Sequence, residues 1–174
     1  MTDLNHVEAV RVRYSDTDAQ GIAHHSNFFR WLEEARLAWL RDIGHPYAEL
    51  TRRGLYIPLT ACSCDFQAAV QAEDWLDVCL YVTEASRIRS GFFYEVVRRG
   101  SKKVATATTR HAYVDSAGHS VRLAHDDPFF LAVRGEADKV PIESDIALQK
   151  GQRAQDAYEI FTGRGRDWKS RSHE

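Results

Sequence analysis

No charge of one sign dominates this chain of 174 residues, in which 23 Lys and Arg face 25 Asp and Glu for a formal net charge of -2. With an isoelectric point near 6.4 there is no global basic field, which argues against nucleic acid as a partner. Long apolar runs are missing too. The opening Met-Thr-Asp-Leu-Asn-His-Val-Glu is acidic and has no signal-peptide core, and no later stretch approaches a membrane span, so no membrane partner and a cytoplasmic location are expected. Cysteine is scarce. Cys62, Cys64 and Cys79 are an odd number without a metal-type repeat. Cys62 and Cys64 would point the same way along a strand, and they read as buried or half-buried thiols rather than a metal or redox site. Asp16, Asp18, His24 and His25 are chemically acceptable metal ligands, but adjacent histidines diverge and no His-x-x-x-His spacing supports them. Neither a metal nor a cofactor is expected.

What the chain does contain is an ordinary globular composition, 44% hydrophobic and 28% charged, enough for one domain with a real core. Val7 to Tyr14 alternates as a strand, and Asp16 to His25 reads as a loop broken by Gly21. Ser26 is the expected N-cap of a helix whose apolar stripe is Phe28, Leu32, Ala35, Trp39 and Ile43, with Gly44 and Pro46 ending it. A short helical piece covers Tyr47 to Arg53. Strand-like runs follow at Tyr56 to Phe66, Trp75 to Ala85, Gly91 to Arg99, Lys103 to Asp115 and Ser120 to Leu123, with turns at Arg99-Gly-Ser-Lys102 and Asp115-Ser-Ala-Gly118. One long helix followed by an antiparallel meander predicts an α+β fold of about five strands, the sheet curving around the helix.

The stretch from Tyr14 to Phe29 is the chemical centre of the sequence. It sets a carboxylate, Asp18, and a glycine turn just ahead of His24, His25 and the helix start. A helix N-terminus carries unpartnered backbone N–H groups and partial positive charge, so it can polarise a carbonyl oxygen, while the carboxylate attacks that carbonyl or activates water. Asp16 is assigned to organising the turn, a role that Asp18 could equally fill. The run Asp18-Ala-Gln-Gly21, His25-Ser-Asn27 and Glu33-Glu-Ala-Arg36 closely resembles hotdog-fold acyl-CoA thioesterases of the 4-hydroxybenzoyl-CoA thioesterase and YbgC type. Similar text continues in order through Pro58, Asp65 to Val70, Ser90-Gly-Phe-Phe-Tyr94-Glu and Ala105 to His111.

That resemblance implies a hotdog domain at 1–134, followed by a charged extension at 135–174 that has 8 acidic and 7 basic residues, part helical at Gln152 to Phe161 and mobile toward its end. It implies an acyl-CoA substrate split to a carboxylic acid and free coenzyme A. Asp18 becomes nucleophile or general base, the backbone amide near His25 the oxyanion donor, the His25 imidazole an orienting group, and Tyr14 a phenol able to hydrogen-bond Asp18. Glu33, Glu34 and Arg36 are read as helix-surface or subunit-contact charges, either glutamate remaining an outside catalytic candidate. Coenzyme A needs cations for its phosphates. Arg87 and Arg89, expected on one strand face beside Ser90, are the candidates, with Arg98, Arg99, Lys102 and Lys103 around the neighbouring turn. Such enzymes pair sheets edge to edge, so a homodimer or homotetramer is implied. Two alternatives stay open: a hotdog enoyl-CoA hydratase or dehydratase, whose typical Asn-Pro pair is absent from the helix-flanking motif, and a non-catalytic acyl-CoA-binding protein. The acyl group is not specified, since aromatics at 11% can line a pocket or fill a core.

Overall fold

The computed structural model describes residues 4–139. Strand β1 (His6–Arg11) leads through a 3-10 turn (Tyr14–Asp16) to the long helix α1 (His25–Asp42) and the short helix α2 (Tyr47–Arg52). Strands β2 (Leu59–Phe66), β3 (Trp75–Ala85), β4 (Arg89–Arg98) and β5 (Lys103–Ala112) follow, and helix α3 (Pro128–Ala137) comes last. The strands make one five-stranded sheet in the order β1-β3-β4-β5-β2, every pairing antiparallel. The α+β expectation therefore holds, and β2 lies at the opposite edge from β1.

The core explains why the long helix forms where it does. Phe28, Leu32, Ala35 and Trp39, the stripe read from helical spacing, are all buried, joined by Trp31, Ala38 and Leu40. Opposite them, β3 buries Leu76, Val78, Leu80 and Val82 on one face. Register carries that face across the sheet, because Leu80 opposes Tyr94 and Tyr94 opposes Ala107, while Val78 opposes Val96 and Val96 opposes Ala105. The Trp39 ring meets Phe92 edge-on at 5.2 Å. Each large side chain so buried contributes about 1.5–3 kcal/mol, so one apolar helical stripe against one alternating sheet face is enough to set the layer arrangement. Gly44 ends α1 at φ +79, the left-handed conformation that lets His45 N–H turn back to the Leu40 carbonyl at 2.9 Å.

Several boundaries differ from the sequence reading. His24, not Ser26, caps α1: its ring Nδ1 accepts from the Ser26 amide at 3.3 Å and pairs with the Ser26 hydroxyl at 2.8 Å. β1 ends at Arg11, because the Asp16 carboxylate accepts the Arg13 amide at 2.8 Å and folds the backbone into the 3-10 turn. β2 starts only at Leu59. Ser120 to Leu123 is not a strand; Val114 and Ser120 share an isolated bridge, and Leu123 N–H goes to the Arg87 carbonyl instead, at 2.8 Å. Cys62 is exposed rather than buried. The 134 boundary falls inside α3, a helix not anticipated, which Asp127 caps by accepting from the Phe129 and Phe130 amides at 2.9 and 3.2 Å. The helix expected at Gln152 to Phe161 and the rest of the extension lie outside the described residues.

Candidate active site

Two local structures meet at the start of α1. Residues 17–23 form a small hairpin: Thr17 and Ala23 bridge, Asp18 N–H donates to the Ile22 carbonyl and Gly21 N–H to the Asp18 carbonyl, both at 2.9 Å. Gly21 has φ +73, which an L side chain would resist, so glycine here is a backbone requirement. The Asp16 carbonyl then accepts both the His24 amide and the Asn27 side-chain amide at 2.8 Å. Those two bonds clamp the hairpin to the first turn of α1. Ala23 N–H, at 2.7 Å from the Val70 carbonyl, holds the same junction to the connection between β2 and β3.

Each sequence candidate can now be placed. Asp16 is buried at 8% exposure and serves the turn, as assigned. Asp18 is half-buried; one carboxylate oxygen accepts the Gln20 amide at 2.7 Å, and its other oxygen has no hydrogen-bond partner among the described residues. The Asx-turn role and an available carboxylate oxygen coexist in this residue. His25 opens the helix, exposed, its ring 4.0 Å from that of His24. Its backbone N–H has no acceptor among the described residues, as the first amide of a helix must unless something outside supplies one. Tyr14 departs from expectation: it belongs to the 3-10 turn, is 85% exposed, and its hydroxyl makes no hydrogen bond to Asp18. Only its carbonyl is engaged, by the Thr17 amide and hydroxyl.

The cation candidates are less open than their composition suggests. Arg87 precedes β4 rather than sharing its face, and it donates from Nε to the Leu123 carbonyl at 2.5 Å and from Nη1 to His125 at 2.7 Å. Arg89 pairs with Glu84, and Arg110 approaches the other oxygen of the same carboxylate at 3.5 Å. Two guanidinium groups thus share one negative charge. Ser90 is buried at 2% exposure and sits off the surface of this chain. At the next turn Arg98 pairs with Asp74, Arg99 with Asp77 and Lys103 with Glu95. Among the described residues no group of three or more His, Cys, Asp and Glu is placed to hold a metal ion, and no helix is long and apolar enough to cross a membrane.

Sequence reasoning missed a polar cluster under α1. Arg36, assigned to the surface, is buried at 6% exposure; it pairs with Glu33 at 3.4 Å, and its Nη1 has no hydrogen-bond partner among the described residues. Its spacing from Leu32 and Trp39 would have placed it on the inner stripe. Below it, Thr109 Oγ1 links the Tyr94 hydroxyl at 3.3 Å and His111 Nε2 at 3.1 Å. Burial, reinforced by the Arg36 charge, lowers the His111 pKa to about 4, the Ile57 backbone offsetting only part of that. His111 is accordingly neutral at physiological pH. Burial pushes the Tyr94 phenol up to about 12.

Comparison with known proteins places this arrangement. Residues 12–149 match the family described as the Thioesterase-like superfamily. A crystal structure of a hypothetical protein from Aquifex aeolicus is similar at 36% identity and TM-score 0.66, covering 73% of this chain and 97% of that one. The acyl-CoA thioesterase YbgC of Haemophilus influenzae is 29% identical over 109 residues, 61% of this chain and 78% of that protein. A 1,4-dihydroxy-2-naphthoyl-CoA thioesterase from Synechocystis superposes with TM-score 0.68 at 26% identity, over 74% of this chain and 95% of that one.

Proposed function

The chain belongs to the thioesterase-like superfamily and is a thioester hydrolase, and from that premise we propose that it cleaves an acyl-CoA to a carboxylic acid and free coenzyme A at the junction of the Asp18 hairpin and the start of α1. The observation that carries the reading is the clamp between the two. Asp16 and Asn27 tie the turn bearing Asp18 to the helix end bearing the unpartnered His25 amide.

A thioester carbon is already electrophilic, because sulfur donates weakly to the carbonyl. What remains is to supply a nucleophile and to stabilise the oxyanion. With the carbonyl oxygen against the His25 N–H, negative charge develops beside a fixed donor at the positive end of a helix of 18 residues. Asp18 then acts in one of two ways. As nucleophile, its carboxylate adds to the acyl carbon, the C–S bond breaks, coenzyme A leaves as thiolate, and water hydrolyses the resulting anhydride. As general base, it takes a proton from water, whose oxygen adds to the same carbon; the C–S bond then breaks and the departing thiolate of coenzyme A recovers that proton. The Asx-turn bond occupies one carboxylate oxygen and leaves the other for either path. The His25 imidazole orients water or the carboxylate, and the exposed Tyr14 phenol is kept as a third candidate for substrate contact.

For the nucleotide we propose the surface of Arg87, Arg89 and Arg110. It is supported by the Arg89 and Arg110 guanidinium groups sharing the single Glu84 carboxylate, with Arg87 two residues before Arg89 bonded to a neutral carbonyl, a surplus of positive charge suited to phosphate. Ser90 enters only as a buried neighbour of that patch. A homodimer or homotetramer in the cytoplasm remains part of the proposal. A panel of aromatic, short-chain and long-chain acyl-CoA substrates, followed by release of free thiol, tests it. Turnover of at least one member with Asp18 intact supports the reading, whereas tight binding of all without thiol release, or hydration of an enoyl-CoA in its place, overturns it.

A further inference from the structure

An oxyanion site made from a helix end works best with one amide open and its neighbours closed, because every unpartnered N–H of the first turn competes for the same oxygen. His25, Ser26 and Asn27 open α1, and one residue ahead of them occupies two of their three amides. The Asn27 N–H goes to the His24 carbonyl at 2.9 Å, and the Ser26 N–H goes to the His24 ring, whose Nδ1 accepts it at 3.3 Å. Ahead of both, the His25 N–H has no acceptor among the described residues. His24 is itself held from behind. Its own amide donates to the Asp16 carbonyl at 2.8 Å, the oxygen that also takes the Asn27 side chain. The ring is half-buried and lies 4.0 Å from that of His25.

These contacts set the tautomer. An amide N–H can only donate, so the Nδ1 that accepts it carries no proton, and the neutral ring holds its proton at Nε2. The Ser26 hydroxyl, 2.8 Å from the same nitrogen, then donates as well, and the two donors share one lone pair. Alanine in place of His24 would leave the Ser26 N–H open beside that of His25. Protonation of the ring would open it by another route, since Nδ1–H would donate to the Ser26 oxygen and the Ser26 amide would lose its acceptor. We propose that His24 is a positioning residue for thioester hydrolysis: its neutral ring closes the Ser26 amide and leaves the His25 amide as the donor that fixes the thioester oxygen relative to Asp18. This role rests on the thioesterase reading above. His24 acts through the helix start and not on the reacting atoms.

Asparagine should perform the same task without titrating. It is among the strongest N-cap residues, its side-chain oxygen reaching the second or third amide of the helix, and it gains no proton in the working range. Other groups around the junction titrate as well. They are His25 on α1, Asp18 on the hairpin, and Tyr14 and Asp16 in the 3-10 turn, the Asp16 carboxylate being engaged by the Arg13 amide. On the connection between β2 and β3, Glu73 and Asp74 are paired with Arg11 and Arg98. All of these remain when His24 becomes asparagine, so the difference between the two pH profiles isolates His24.

The test compares the full chain as wild type, His24→Ala and His24→Asn on the best acyl-CoA of a substrate panel, together with nitrogen NMR of isotope-labelled histidine in the wild type. At alkaline pH the His24 Nδ1 resonance should be that of an unprotonated ring nitrogen and Nε2 that of a protonated one. His24→Ala should lower kcat by ~10- to ~10²-fold, the size expected from a small misplacement of reacting groups, with KM changed far less. His24→Asn should recover most of that loss and move the acid limb of kcat to lower pH than in the wild type. A protonated Nδ1 overturns the proposal whatever the activity. Wild-type kcat in His24→Ala, no recovery by asparagine, or the same acid limb in wild type and His24→Asn overturns the role of His24 alone, since thiol release by the wild type keeps the thioesterase reading intact. No thiol release by the wild type from any acyl-CoA defeats that reading, and this role with it, before a variant is made.

Discussion

Replacing Asp18 by Asn tests the proposed chemistry with little disturbance to the fold. The Asp18 side chain is half-buried and makes one hydrogen bond, from the Gln20 amide at 2.7 Å, and an asparagine oxygen can accept the same bond. What changes is a charge-assisted bond becoming neutral in a partly solvated turn, about 1 kcal/mol or less of stability. For a protein of this size that is a shift in Tm of roughly 2–4 °C at most. The catalytic loss is far larger. Without the negative charge neither attack on the thioester nor proton abstraction from water is available, and kcat should fall by ~10²- to ~10⁴-fold, equivalent to about 2.7–5.5 kcal/mol of activation free energy. Thiol release at saturating acyl-CoA gives kcat, and a thermal melt on the same preparation gives stability. Near wild-type turnover in a protein with an unchanged melt would refute the mechanism and leave Asp18 with its turn role alone.

Four further outcomes are expected. His25→Ala should cost less in kcat than Asp18→Asn, because the backbone amide assigned to the oxyanion is retained; an equal or larger loss would shift the essential role to the imidazole. The His111 pKa of about 4 lies below its ordinary 6.5, so below pH 6.5 the unfolded chain binds a proton that the folded one refuses; stability should fall from pH 6.5 toward pH 4, by an amount on the order of 3 kcal/mol. Melts of wild type and His111→Gln across that window should show a shallower acid slope in the variant. Asp127→Ala removes the cap of α3 and the 2.6 Å ion pair with Arg53, and should lower stability by about 1–2 kcal/mol in a denaturant titration. Raising ionic strength should raise KM for acyl-CoA more than it lowers kcat, and Arg89→Ala should reproduce the effect at low salt; a KM insensitive to both would remove this patch from the nucleotide site.

Where structure depends on neighbours a few residues apart, the chain could be read directly. The α1 stripe, the Gly44 stop, the turn at 99–102 and the Asp18-to-Gly21 turn all come from side-chain and backbone preferences within one helical turn or one hairpin. The position of the candidate site was legible for the same reason, because a carboxylate turn immediately preceding a helix start must lie near that helix end. Boundaries failed where one side chain a short distance away intervened, as when Asp16 ended β1 early and the His24 ring took the cap from Ser26.

Tertiary structure decided the rest, because those contacts join residues that no local pattern connects. Arg36 reads as surface from its charge and is buried because the strip of α1 it occupies packs over Tyr94 and His111. Arg87 donates to a carbonyl 36 residues on. The Asp127 cap pairs across 74 residues with Arg53. The order β1-β3-β4-β5-β2, which puts β2 at an edge beside β5, joins strands far apart in the chain and is not written in the composition of any one of them. Sequence alone thus set out the long helix and most of the strands, and pointed to a candidate site beside the first turn of α1, since both act over the reach of a few bonds. The fold determined which charges lose water, which are neutralised and which strands lie at the edges, since burial and pairing depend on chain segments meeting in space.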